Sequence, residues 1–79
     1  MESLNARYLL CPLPVIRVQD RIKFMQRGEV LEVVCTDPGT VHDIPAWCRI
    51  NGHRVIDCKN VNEEYTFTLE VGSRLEANR

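Results

Sequence analysis

Four side chains of this sequence are thiols, Cys11, Cys35, Cys48 and Cys58, and two are imidazoles, His42 and His53. A thiolate is both a nucleophile and a metal ligand, so its neighbours decide which chemistry is open to it. No Cys-x-x-Cys pair occurs, and the histidines stand apart from the cysteines, so no metal site and no cofactor is expected. An even cysteine count in a small chain suits a disulfide framework only in a secreted setting, and no signal segment is visible. Reduced thiols are the expectation, with the chemistry on one of them.

Cys11 has the setting for it. In Tyr8-Leu9-Leu10-Cys11-Pro12-Leu13-Pro14-Val15-Ile16-Arg17-Val18 it separates an apolar run from a segment with helical periodicity. A residue before proline is pushed towards extended angles, which a helix N-cap also needs. Cys11 therefore reads as the N-cap, with Pro12 at the first helical position and Pro14 in the same turn. A thiol there meets the positive end of the helix dipole, which lowers its pKa below the ordinary ~8.5. Because Leu13 alone among the first three helical positions carries an N–H, the thiolate is expected to be only lightly held. Light holding suits a sulfur that must attack, carry and release, since nucleophilicity falls with pKa. The plain alternative is a small buried residue ending a strand; the Pro-x-Pro junction favours reactivity.

The elements that must position this thiol follow from periodicity. Leu4 to Leu10 alternates and reads as a strand, with Leu4, Ala6, Tyr8 and Leu10 on one side. Val15, Val18, Ile22 and Met25 give a helix from Pro12 that Gly28 ends. Glu29 to Thr36 is a strand with Leu31, Val33 and Cys35 on one face. Asp37-Pro38-Gly39-Thr40 breaks it. A second helix lies between Thr40 and Asn51, capped near Asp43 with Pro45 in its first turn and Val41, Ile44 and Cys48 inward. Asn51-Gly52 stops it. His53 to Lys59 is the third strand, Asn60 to Glu63 a turn, and Tyr65 to Val71 the fourth strand, with Tyr65, Phe67, Leu69 and Val71 inward. The order βαβαββ gives an α/β two-layer sandwich, two helices on one face of a mixed four-stranded sheet. Residues 1–72 form one domain, and 73–79, lacking periodicity, read as a flexible tail.

Composition narrows the function class. The formal net charge of −1 argues against phosphate-driven nucleic-acid binding, so no direct nucleic-acid partner is expected. No segment approaches the ~20 apolar residues of a membrane span, and the chain reads as soluble and cytoplasmic.

With these residues in place, the chain resembles the TusA (SirA-like) family of sulfur carriers, whose signature Cys-Pro-x-Pro stands here as Cys11-Pro12-Leu13-Pro14. The stretch from Asp37 to Cys48 follows the family's Asp-Pro-x-Thr, Asp-Ile-Pro and aromatic-Cys pattern, and Met25 to Glu29 also fits. The resemblance runs from about Leu4 to Val71. It implies that Cys11 carries sulfane sulfur as a persulfide, loaded by a cysteine desulfurase or a rhodanese-type sulfurtransferase and passed to a reactive cysteine of an acceptor protein. Such a protein is a carrier rather than a stand-alone enzyme, serving tRNA thiolation, sulfur oxidation or other sulfur trafficking. Asn5 and Tyr8 stand where the family often has aspartate and glycine, and Leu13 where tRNA-thiolation carriers have an acid. Both departures lie at the reactive end, so the resemblance does not carry the identity of donor and acceptor.

If the first two strands are parallel, the Cys11 loop and the Asp37 to His42 loop open on the same edge. His42 or Thr40 could then lie near the sulfur, and Asp37 or Asp43, if close, would oppose thiolate formation. The favoured expectation is plainer, with Asp37 and Asp43 capping turns and His42 solvated. Arg17, Arg21 and Arg27, with Lys23, make the outer face of the first helix basic. That is a solvated face or a partner-docking surface, and Trp47 is a core residue or a docking anchor. Cys35 and Cys58 are expected to be inward and inert, beside Leu31, Val33 and Ile56. Two competing functions remain: a non-catalytic interaction or regulatory module, and a thiol redox protein, which would need a resolving thiol near Cys11.

Overall fold

In the computed structural model, which describes residues 2–72, the elements run β1 (Glu2–Ala6), α1 (Leu13–Ile22), β2 (Val30–Cys35), α2 (Thr40–Ile50), β3 (Arg54–Val61) and β4 (Glu64–Glu70). The expected tail, 73–79, lies outside the described residues. The sheet order is β1-β2-β4-β3. β1 and β2 are parallel, with Ala6 opposite Cys35, and β4 is antiparallel to both β2 and β3. This is the βαβαββ sandwich expected from the periodicities.

The core follows from alternation. Leu31, Val33 and Cys35 of β2 face the helices together with Phe67 and Leu69 of β4, all fully buried, and Val33 pairs with Phe67 across the ladder. Val18 and Ile22 of α1, and Ile44 and Cys48 of α2, close the layer from above. Central β4 contributes the largest buried side chain, Phe67.

Several boundaries move, each for a local reason. β1 ends at Ala6 rather than Leu10, because Tyr8 takes a left-handed φ of 64° that no strand can continue. Tyr8 and Leu10 are consequently exposed, at 84% and 72%, instead of facing inward. α1 ends at Ile22; two turn-type bonds, from Phe24 N–H to the Arg21 carbonyl and from Met25 N–H to that of Ile22, carry Met25 into the core after the helix has stopped. α2 begins at Thr40, not near Asp43, so Pro45 lies inside it and Val41 is partly exposed. Its start is built by the Asp37 turn, whose main-chain carbonyl accepts from both the N–H and the hydroxyl of Thr40.

β3 departs most from expectation. A bulge between Val55 and Asp57 adds Ile56 as an extra residue, so the alternation slips within the strand. Cys58 still pairs with inward Phe67, but it lies on the edge strand, and unlike Val55, which packs on the core, it is exposed. The expectation of a buried Cys58 fails on its edge position, not on face. The β3–β4 hairpin turns on two residues, Asn62 and Glu63, both with positive φ.

Candidate functional site

The parallel pair β1/β2 sends two connections off the same edge of the sheet, and they meet at Cys11. From β1 the chain passes through Arg7, whose guanidinium is held by the Glu64 carboxylate of the β3–β4 hairpin at 2.8 Å. The Tyr8 N–H donates to the Thr36 hydroxyl at 2.8 Å, tying this loop to the end of β2. Cys11 follows, exposed, with a cis peptide bond to Pro12.

Here the thiol's surroundings differ from the expected ones. The N-cap of α1 is Pro12, not Cys11, and Pro14 is at the second helical position. Leu13, the only early N–H, donates to the Leu10 carbonyl at 2.9 Å. Helix α1 therefore offers the sulfur no donor from those positions. Cys11 turns instead to the β2–α2 connection: its N–H donates to Asp37 Oδ2 at 2.7 Å, and its Sγ–H donates to Asp43 Oδ2 at 2.8 Å.

The electrostatic consequence reverses the sequence-based expectation. The hydrogen bond to Asp43 raises the Cys11 pKa above the ordinary thiol value, with smaller contributions from desolvation and the charges of Asp43 and Asp37. Removing the proton would destroy a donated hydrogen bond and place an anion against a carboxylate. The arrangement favours the protonated sulfur over the thiolate. The plain expectation for the two acids is thus corrected in part. Asp37 does cap a turn, accepting the Gly39 N–H at 3.1 Å, yet it also binds the Cys11 main chain, and Asp43 binds the thiol itself.

His42 is exposed on α2, and Thr40 is buried beneath the loop. The cysteines separate by environment. Burial pushes Cys35 up to about 11 and Cys48 up to about 12, whereas Cys11 and Cys58 are exposed. Cys58 stands on edge strand β3, across the sheet from β1.

The candidate docking residues are distributed. Arg17 is exposed on α1, whereas Arg21 is engaged with Glu2 at 3.3 Å and with the Ser3 carbonyl at 3.1 Å. Arg27 lines a cleft with Gly28, Arg54, Glu70 and Gly72, beyond the start of β2 and thus at the end of the sheet away from Cys11. Trp47 is half-buried, packed on the core and stacked on His53 with ring centroids 5.1 Å apart. Among the described residues there is no group of three or more His, Cys, Asp or Glu side chains able to hold a metal ion. None of the described helices is long and apolar enough to cross a membrane.

The same architecture occurs in a SirA-like protein of Desulfitobacterium hafniense. Its crystal structure superposes with a TM-score of 0.80 at 20% identity, covering 92% of this chain and all of that one, which establishes the fold. The sulfur carrier protein TusA of Allochromatium vinosum is 33% identical over 69 residues, 87% of this chain and 91% of that protein. A Neisseria meningitidis protein with a provisional sulfur-carrier name is 36% identical over 69 residues, 87% of this chain and 93% of its own length. The family described as sulfurtransferase TusA matches residues 2–71, which span both loops around Cys11 and every strand and helix, and the chain belongs to that family.

Proposed function

We propose that this protein is a sulfur carrier that accepts sulfane sulfur as a persulfide on Cys11 and hands it to an acceptor protein. The observation that carries this reading is the placement of Cys11: an exposed thiol at the meeting point of two loops, on the edge where parallel strands end. Family membership supports a sulfur relay with a donor and an acceptor on either side. The donor is a cysteine desulfurase or a rhodanese-type enzyme, and the acceptor presents a reactive cysteine.

The transfer is thiol–persulfide exchange. Cys11 Sγ attacks the outer sulfur of the donor's persulfide, a new S–S bond forms at Cys11, the donor's S–S bond breaks, and the departing donor sulfur takes up the proton that Sγ gives up. Discharge repeats the step with the acceptor thiol as attacker. No electrons are gained or lost overall, so no oxidant or cofactor is required. Pro12 and Pro14 fix the backbone on either side of Leu13, and Asp37 anchors the Cys11 main chain, so the sulfur is presented from a rigid mount.

Intact-mass measurement after incubation with a cysteine desulfurase and cysteine, or with a rhodanese charged with thiosulfate, tests this. The expected result is a gain of one sulfur, reversed by reductant and absent in Cys11→Ser, while Cys58→Ser still gains it. Loading that survives Cys11→Ser and disappears in Cys58→Ser would move the carrier sulfur to β3. No gain with either donor would make an interaction module the better reading.

A further inference from the structure

A thiol bonded to a carboxylate is an unexpected resting state for a sulfur nucleophile. The 2.8 Å contact from Cys11 Sγ–H to Asp43 Oδ2 exists only while the sulfur keeps its proton. Asp43 is well placed to keep it so. It sits in the first turn of α2, half-buried, with its own N–H donating to the Gly39 carbonyl at 3.0 Å. Asp37 is committed elsewhere, accepting the N–H groups of Cys11 and Gly39. Gly39 lies between the two acids, and a Cβ there would meet the carboxylate oxygens of both within 3.8 Å.

The charges around the sulfur can be taken element by element. The first turn of α1, Leu13-Pro14-Val15-Ile16, has no charged side chain. The β2–α2 connection contributes Asp37, and α2 contributes Asp43, with His42 beside it exposed to solvent. Asp37 and Asp43 are both acids, and the β1–α1 loop's own cation, Arg7, is paired with Glu64.

We propose that Asp43 is a latch on the empty carrier: a positioning residue that keeps Cys11 as a neutral, unreactive thiol against α2 until a docked sulfur donor takes over the proton. The purpose of the latch rests on the sulfur-carrier reading; its existence does not. In the free protein it shields the thiol from small oxidants and electrophiles, which need the thiolate. In the exchange step above, the proton leaves Sγ as the donor's sulfur departs and accepts it. A loaded Cys11 has no Sγ–H, so the bond to Asp43 is lost and the terminal sulfur is free to turn outward.

The test needs no sulfur donor. In a Cys58→Ser background, the rate of Cys11 alkylation by iodoacetamide, an uncharged probe, is followed against pH for Asp43 and for Asp43→Asn. The amide is expected to move the midpoint to lower pH and raise the rate at neutral pH several-fold. Asp43→Glu should restore the slow profile at least in part, and Asp20→Asn, an acid on α1 paired with Lys23, should leave it unmoved. An Asp43→Asn profile superimposable on the parent would overturn the latch. Should that variant fail to fold, the parent suffices: its midpoint must lie above that of the same chain unfolded in urea, and a midpoint at or below it overturns the proposal. An absent mass gain with a shifted Asp43→Asn profile would remove the carrier reading and keep the latch; a mass gain with an unshifted profile would do the reverse.

Discussion

Tyr8 carries a cost that its environment does not return. Its φ of 64° is a conformation glycine adopts freely, whereas an L-residue there is disfavoured by roughly 1–2 kcal/mol. The side chain is 84% exposed and so recovers little by packing. Glycine loses more chain entropy on folding, by roughly 0.5–1 kcal/mol, so Tyr8→Gly is expected to stabilise the fold by about 0.5–1 kcal/mol. Urea titration checks this, and an unchanged or lower midpoint would mean that the ring has a partner worth the strain. The same residue-scale logic holds at Cys11, whose thiol is hydrogen-bonded not by neighbouring α1 but by one acid on α2.

Among the elements, β4 has the central role: it pairs with β2 on one side and β3 on the other and sends Phe67 and Leu69 into the core. Phe67→Ala is expected to cost about 3–5 kcal/mol, through lost transfer energy and the cavity left behind. That is a large share of the ~5–15 kcal/mol typical of a domain, so thermal unfolding should shift sharply or the variant should not fold. A loss under 1 kcal/mol would show that the helices can collapse onto the gap. The element ends that face away from Cys11 are closed by backbone contacts. Gly28 donates to the Val71 carbonyl, and Gly72 packs so near the Gly52 carbonyl that a side chain would collide with it. That end is a structural seam, while Cys11 stands at the opposite end of the sheet.

For the whole molecule, the two buried thiols make stability depend on alkaline pH. Burial raises Cys35 to about 11 and Cys48 to about 12, so each binds its proton more tightly folded than unfolded. Their contribution is fully present below the ordinary thiol pKa of ~8.5 and is lost as pH rises through 11 and then 12. Urea midpoints should therefore fall over that range, and Cys48→Ala should flatten the later part of the fall. A flat profile through the same range would place these thiols in contact with water.

What the sequence determined by itself is what local patterning can carry. Alternation in 65–71, the β-branched run of 29–36 and the helical spacing of Val15, Val18 and Ile22 each allow one element type, and their order with short connections leaves one simple sandwich. The Cys-Pro-x-Pro junction likewise drew attention to Cys11, which the fold leaves exposed. Boundaries were less legible where one residue's angles override the pattern: Tyr8 looks like a strand residue, Asn62-Glu63 lacks the Asn-Gly sequence typical of a two-residue turn, and the Ile56 bulge leaves no mark in a β-branched stretch. The state of the thiol was the least legible. Helix α1 alone argues for a stabilised thiolate, and the parallel pairing of β1 with β2 brings Asp37 and Asp43, 26 and 32 residues further along, onto Cys11 and reverses that sign. Secondary structure is settled by neighbours in the chain, but a pKa is settled by neighbours in space, and only the tertiary fold chooses those.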